Sequence, residues 1–426
     1  MAKNYLIGLD IGSFKTKGIL FEEENKHYRV LSYGSKKTSG ITGGELKDIE
    51  KITETIRSLI NDLTKDLSKK SKSIELITGY STNELYISSE NFTVEYTEKT
   101  EIVQKELEKI KNSVVKKYSE DKKMILDISF TKFIVDDKIV SNPIAFTAQK
   151  SLTVSLNVVW ASENSFVTLS SAFKKIVSDN KLPAFDTTLS MAYAATTSQD
   201  RENGITFLDF GYRACRAIVF KDGIPSMFHT FPYGIKYVLK DITTVLKTTE
   251  AEANRLLIEH AVCLKDTKVT KKIDFNTVSK PDMAHCTQNL LNKIVYARVR
   301  EIISRFNGEL SKKRFGRSNE FGGLQGGVIY CGGGSQIKNI ENTIQELMGD
   351  NFRKGQLSLE IFKNVPEELN KKMEYLSVFG LIERNENMKI NEGNVENTKE
   401  INTAKKNKKG FGNAFKSIFK KLVNED

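Results

Sequence analysis

Residues 8–17 read Gly8-Leu9-Asp10-Ile11-Gly12-Ser13-Phe14-Lys15-Thr16-Lys17, and their reading decides the fold. An apolar strand over 4–9 ends on Asp10, and a tight Gly12-Ser13 turn leads into a second strand near 16–22 and a third near 27–33. Such a turn aims backbone N–H groups and a hydroxyl at an anion, while a carboxylate closing the strand can hold hydrated Mg2+. Gly12 permits close approach by phosphates, and Lys17 can reach one as a point charge. Alone, Asp-x-Gly-Ser is a weak signal, because ordinary turns often contain it. The pattern recurs about two hundred residues later, which marks an internal repeat. There a strand over 205–209 ends on Asp209, the turn Gly211-Tyr212-Arg213 follows, and strands 215–220 and 225–230 complete the unit. A third loop empties strand 327–330 into Cys331-Gly332-Gly333-Gly334-Ser335, leaving room for a flat base and ribose against bare backbone.

Working outward, residues 46–67 carry apolar side chains at helical spacing (Ile49, Ile52, Ile56, Leu59, Ile60, Leu63, Leu67), and strand 74–79 follows. The character changes over 83–162. A strand near 91–96, a helix over 99–118, a hairpin signal at Asp136-Asp137-Lys138 and an alternating strand over 152–159 predict a small α+β insertion. Helices are predicted at 164–180, 186–197, 235–246, 250–261 and 282–306, with a charged loop at 307–326. Beyond about Glu383 the composition collapses to Asn, Glu, Lys and Thr, which predicts a disordered linker over 385–410.

The three loops together resemble the phosphate-1, phosphate-2 and adenosine motifs of the actin, sugar-kinase and Hsp70 superfamily. The resemblance implies an α/β, actin-like fold, a duplicated RNase H-like unit whose two domains clasp ATP. Ser190-Met191-Ala192-Tyr193-Ala194 resembles that superfamily's first connecting helix, and Leu376-Ser377-Val378-Phe379-Gly380 its second. Within the superfamily the chain is similar to the bacterial cell-division FtsA family. The residues carrying this are Asn142-Pro143-Ile144-Ala145-Phe146, Pro232-Tyr233-Gly234-Ile235 through Asp241-Ile242, and Ile258-Glu259-His260-Ala261. The insertion falls where that family has its distinctive subdomain 1C.

The domains so implied are 1–82 with 163–204 (subdomain 1A), 83–162 (1C), 205–384 (2A and 2B, with 2B roughly 247–324), linker 385–410 and an amphipathic helix over 411–424. Nucleotide contacts are implied for Asp10, Gly12, Ser13, Phe14, Lys17, Asp209, Gly211, Tyr212, Asn254, Gly332, Gly333, Gly334 and Ser335. Asp10 and Asp209 would hold Mg2+ mainly through water, and no catalytic base is assigned. The second phosphate loop departs from the family's Asp-x-Gly-Gly-Gly-Thr, since Gly211-Tyr212-Arg213-Ala214 lacks two glycines and a hydroxyl. Asn254, Leu257 and Ala261 also replace the usual residues. ATP binding with weak or negligible hydrolysis is therefore expected.

Charge locates the other function. The chain has 65 Lys and Arg against 54 Asp and Glu, a net charge of +11. Seven lysines lie between Lys405 and Lys421, with no acid in that stretch. The excess sits in the tail, which favours an anionic membrane over a nucleic acid. Phe411, Phe415, Ile418, Phe419 and Leu422 fall on one helical stripe, flanked by Lys416, Lys420 and Lys421. Each buried apolar side chain contributes at most about 1.5 to 3 kcal/mol, and each lysine near anionic lipid about 1 kcal/mol. No stretch approaches a spanning helix, and the N-terminus lacks signal-peptide features, so a peripheral protein on the cytoplasmic face of the membrane is expected. Four scattered cysteines and four histidines form no ligand pattern.

By resemblance the chain would polymerise as actin-like filaments and tether the FtsZ ring at the division septum. FtsZ's C-terminal tail peptide would bind 2B, and other divisome proteins would bind through 1C. A PilM-like pilus assembly protein shares the fold but normally lacks the linker and terminal helix. A sugar or acid kinase would need an intact glycine-rich second loop. A nucleic-acid binder would explain the charge but not the three loops.

Overall fold

Two sheets with the same strand order frame the molecule. The structure, a computed structural model, describes residues 4–397 apart from 43–44, 68–73, 83–84, 177–183, 266–267, 269, 279–282, 313–323, 350 and 358. In the first sheet the order runs His27–Lys37, Lys15–Glu24, Asn4–Ile11, Ile74–Tyr80, Ala184–Phe185, with Phe362–Lys363 added at the outer edge. In the second it runs Ile224–Phe231, Cys215–Lys221, Ile205–Phe210, Gly327–Cys331, Phe352–Lys354. In both sheets the first three strands form an antiparallel meander and the last two run parallel to the meander's first strand. Parallel pairing requires a crossover, so helices cover the faces and Ile205–Phe210 is buried along its whole length.

Local chemistry explains the elements. Helix Ile49–Thr64 starts at Asp48, whose carboxylate accepts from the Lys51 N–H, and it buries Ile52, Ile56, Leu59 and Leu63 on one stripe. The insertion is a four-stranded antiparallel sheet (Lys138–Val140, Lys123–Val135, Ser151–Ser162, Leu85–Glu95) covered by helix Gln104–Glu120. That helix buries Leu107, Ile110, Val114, Val115 and Tyr118 against Leu152, Val154, Leu156 and Val158, so a period near 3.6 meets a period of two. Asp136 and Asp137 take φ of 47° and 68°, the left-handed pair a two-residue hairpin turn needs.

Helices Thr187–Ala194 and Leu376–Asn397 pack on each other and join the two halves. Gly380 allows this approach, since a Cβ there would collide with the Ser190 carbonyl. A Cβ on Gly79 would meet both Thr187 and Leu381 at 2.7 Å.

Three expectations are corrected. Residues 282–306 are not one helix: Met283–Thr287 pairs with Lys272–Asn276, burying Ile273, Phe275 and Cys286, and the helix begins at Gln288 and runs to Lys312. The triple glycine opens into a short 3-10 turn (Gly333–Gln336), and the following α-helix starts only at Ile340. The linker does not begin at 385, because the helix from Leu376 continues to Asn397, with Asn385 and Glu386 still buried. A helix nucleated on a buried first turn extends cheaply through residues without an apolar stripe. The amphipathic segment 411–424, with Phe411, Phe415, Lys416, Ile418, Phe419, Lys420 and Leu422, lies outside the described residues. Among the described residues no helix is long and apolar enough to cross a membrane.

Gly380→Ala is expected to destabilise the chain by about 1–3 kcal/mol through overpacking at Ser190, read from denaturant or thermal unfolding. Gly308→Ala is the control: an added Cβ meets nothing within 4 Å there, and a helical Ala gains about 0.5–1 kcal/mol. Equal behaviour of the two variants would remove the packing argument.

Candidate functional site

Both aspartate-tipped hairpins open on one cavity of about 570 Å3 between the two sheets. Of the residues implied by sequence, Asp10, Gly12, Ser13, Phe14, Lys17, Asp209, Gly211, Tyr212, Gly332 and Gly333 line it. Gly334, Ser335 and Asn254 do not. Gly334 is packed against Ile235, and the Ser335 hydroxyl donates to the Gly332 carbonyl at 2.7 Å, so both brace the corner from behind. Asn254 sits on helix Glu250–Glu259, away from the cavity lining.

The two turns share their construction. A Cβ on Gly12 would stand 2.8 Å from the Lys15 carbonyl, and one on Gly211 would stand 2.6 Å from the Ala214 carbonyl. Only glycine fits either turn. Their surroundings differ. Thr38 holds the first turn, its hydroxyl donating to the Gly12 carbonyl at 2.7 Å and its N–H to the Phe14 carbonyl at 2.9 Å. In the second turn the Gly211 and Tyr212 carbonyls accept from the N–H groups of Ile235 and Lys236 at 3.1 and 2.8 Å. The first turn of helix Ile235–Leu246 is thereby committed to the loop. Across the opening Phe14 stacks on Tyr212, ring centroids 4.5 Å apart and planes 24° from parallel, and the Tyr212 hydroxyl donates to Glu250 at 2.7 Å.

The charged groups come in matched pairs. Register places Lys17 opposite Asp10 and Arg216 opposite Asp209, each basic residue seven positions after its acid. Lys17 Nζ lies 2.6 Å from Asp10 Oδ2 and also donates to the Glu374 carbonyl at 2.7 Å. Burial works against its charge, yet the Asp10 carboxylate beside it holds its pKa above the usual value. Asp10 further accepts from Ser377 at 2.6 Å and, weakly, from Thr187 at 3.4 Å. Arg216 Nη1 stands 3.8 Å from Asp209 Oδ2. Burial pushes the Asp209 carboxyl up to about 6, against the pull of Arg216 and Lys17. Asp186, which caps helix Thr187–Ala194 by accepting from the Leu189 N–H, is likewise pushed up to about 6 by burial. Its Oδ2 has no hydrogen-bond partner among the described residues.

These carboxylates fit a magnesium ion poorly. Mg2+ needs near-octahedral oxygen ligands and usually keeps several waters. Both oxygens of Asp10 are engaged, Asp209 Oδ1 lies so close to Gly332 that a Cβ there would collide with it, and a basic side chain faces each acid. No group of three metal-ligating side chains occurs among the described residues.

The cavity lining holds five basic side chains (Lys15, Lys17, Arg213, Arg216, Lys236) and three acidic ones (Asp10, Asp209, Glu374). Its contents suit an anion flanked by a flat apolar group. Sequence reasoning missed Arg216, Lys236, Thr187 and Glu374, and gave Ser377 no role. Arg216 alone had a legible signal, because it repeats the position of Lys17.

With this geometry in hand, relatives are informative. A family model described as cell division protein FtsA matches residues 206–380. A cell division protein FtsA from Borreliella burgdorferi is 25% identical over 440 residues, covering 99% of each chain. Its Bacillus subtilis namesake is 24% identical over 353 residues, covering 82% of this chain and 77% of that one. Among solved structures, the PilM-PilN type IV pilus biogenesis complex is similar with a TM-score of 0.57 at 12% identity, over 89% of this chain and 98% of that one. MreB5 of Spiroplasma citri bound to ADP gives 0.53 at 11% identity, over 91% and 98%. At these identities the structural likeness is one of fold, the multi-domain α/β architecture of actin.

Asp209 generates a pH prediction. Its pKa is raised in the folded chain, so folding takes up a proton between about 4 and 6. Stability from this group is highest at low pH and is lost as pH rises through about 6. Asp209→Asn is expected to gain on wild type at neutral pH by up to about 3 kcal/mol, less what Arg216 loses with its partner. The gap should narrow as pH falls below about 6 and close toward about pH 4, read from thermal midpoints across pH. A pH-independent difference would show that the Asp209 carboxyl is not raised.

Proposed function

We infer that this chain, an FtsA-like protein of the actin/Hsp70 superfamily, is a nucleotide-binding cell-division protein that tethers FtsZ polymers to the cytoplasmic membrane. The observation that carries the reading is the single cavity shared by the Asp10 hairpin, the Asp209 hairpin and the Gly332-Gly333 corner. ATP is the proposed ligand. Its phosphates would lie between the two turns, near Lys17 and Arg216, with the base and ribose toward the glycine corner. Each turn pre-sets its backbone before the ligand arrives, which lowers the ordering cost of binding.

Hydrolysis is proposed to be weak. The second turn gives its carbonyls to a helix and has lost the glycines that would present more N–H donors to a phosphate. Bound nucleotide would instead hold the two halves in one relative arrangement, which suits head-to-tail self-assembly. A cavity whose charges are paired before binding serves that role better than it serves turnover.

The subdomain assignments belong to this proposal: 1A over 1–82 and 163–204, 1C over 83–162, and 2A with 2B over 205–384. In 2B, roughly 247–324, Ile258, Val278 and Met283 are exposed. Apolar side chains among lysines and arginines would suit the C-terminal tail peptide of FtsZ, which is acidic. The 1C insertion would receive later divisome proteins. The PilM-like alternative rests on fold alone, and the sequence relatives favour cell division.

The tail is the membrane anchor in this reading. Many weak tails on one polymer bind far more tightly than one. Full-length protein is expected to co-sediment with anionic liposomes and to bring FtsZ polymers down with them when ATP is present. A 1–404 truncation should do neither. Unchanged lipid binding by the truncation would sink the membrane assignment.

A further inference from the structure

The two cross-strand cations of the cleft carry an inference beyond the family reading. Superfamily resemblance calls for a magnesium ion between the carboxylates and the phosphates, yet each carboxylate here already faces a basic side chain supplied by its own hairpin. Lys17 and Arg216 occupy the same register position in the two repeats, opposite Asp10 and Asp209. Both side chains are largely buried, exposed by 14% and 11%, at the wall of the one cavity. Thr230 pairs with Arg216 across the adjoining strand and lines the same wall. Its buried hydroxyl has no hydrogen-bond partner among the described residues, so a donor is available on the wall that Arg216 also lines.

We propose that Lys17 and Arg216 are the built-in counter-cations of this cleft, so that it binds a nucleoside polyphosphate without a divalent metal. The proposal rests on the reading of the cavity as a nucleotide site and specifies how that site neutralises its ligand. A divalent ion bound to phosphates does two things: it cancels charge and it orients oxygens. A lysine on one side and a guanidinium on the other do both from fixed positions. Arg216 is suited to the second task, because its planar fork can take two oxygens at once. A metal entering between the hairpins would instead meet two positive groups already paired with the hairpin carboxylates, while the third carboxylate of the lining, Glu374, faces Lys15 at 3.8 Å. The net excess of basic side chains in the lining points the same way, since the cavity attracts an anion with no metal present.

The test uses the full chain and a fluorescent ATP analogue, titrated by anisotropy in buffer containing either MgCl2 or EDTA. Wild type is expected to keep its affinity within about threefold between the two buffers. Arg216→Gln should lose at least about tenfold in EDTA, the scale of one charge-assisted hydrogen bond, and recover part of it with Mg2+. Arg216→Lys, which keeps the charge but loses the planar fork, should remain metal-independent with weaker binding than wild type; it carries the comparison if Arg216→Gln does not fold by circular dichroism, and a need for Mg2+ in it would overturn the proposal. Wild-type binding that needs Mg2+ would overturn this proposal and leave the nucleotide reading intact. An Arg216→Gln protein that matches wild type in both buffers would also overturn it. Absence of binding in either buffer would overturn both readings.

Discussion

The structure depends on where one buried carboxylate finds its partners. Asp10 closes the first strand and is almost fully enclosed. An isolated charge in that position would cost several kcal/mol, so its hydrogen bonds decide which elements must converge. Lys17 comes from the hairpin partner strand, Thr187 from the first residue of one connecting helix, and Ser377 from the first turn of the other. Those two helices run from the strands of each half and cross at Gly380. A single side chain therefore ties the first sheet to both crossing helices, and any motion between the halves must be felt at the cavity.

The second half repeats the frame but not the satisfaction. Asp209 has a more distant cation and is pushed up to about 6 by burial, whereas Asp10 is held by two close donors. The first hairpin's carboxylate is tied by side chains, whereas the second hairpin is tied through its backbone to the helix at Ile235. The Phe14–Tyr212 stack spans the gap between them with an interaction of about 0.5–1.5 kcal/mol beyond burial.

Much of this was legible from local signals. The repeated strand, Asp-x-Gly, strand pattern gave both meanders, because a turn that only glycine fits is written in adjacent residues. The hairpin at Asp136-Asp137 announced itself through residues that tolerate positive φ. What stayed hidden depended on distance or register. Ser377 reaches Asp10 across 367 positions, and no periodicity records that. The strand Met283–Thr287 is too short to separate from the helix that follows it, and its identity comes from pairing with Lys272–Asn276. The helix past Glu383 lacks an apolar stripe, so composition suggested a linker where an already nucleated helix simply continues. Asn254 was assigned from its position in a family pattern, but helix Glu250–Glu259 turns other residues inward, among them Ala253, Leu256 and Leu257.

The departures of the second loop from its superfamily form one consistent change. Replacing glycines by Tyr212 and Arg213 removes positions where bare backbone could approach a phosphate, and the carbonyls of Gly211 and Tyr212 are spent on the helix at Ile235. Backbone dipoles are lost from the site. Within a few residues of the same turn, Arg213 and Arg216 add two guanidinium groups to the cavity wall. Fixed partial charges have been exchanged for full charges on side chains. A dipole cradle stabilises a charge distribution that shifts during bond cleavage, because it is oriented before the reaction and need not reorganise. Basic side chains supply full charge to a resting polyanion rather than a set of dipoles aimed at the charge that develops during cleavage. The exchange thus keeps the cleft suited to an anion while removing the backbone donors that catalysis would use, which fits the proposed role of a nucleotide that fixes a shape.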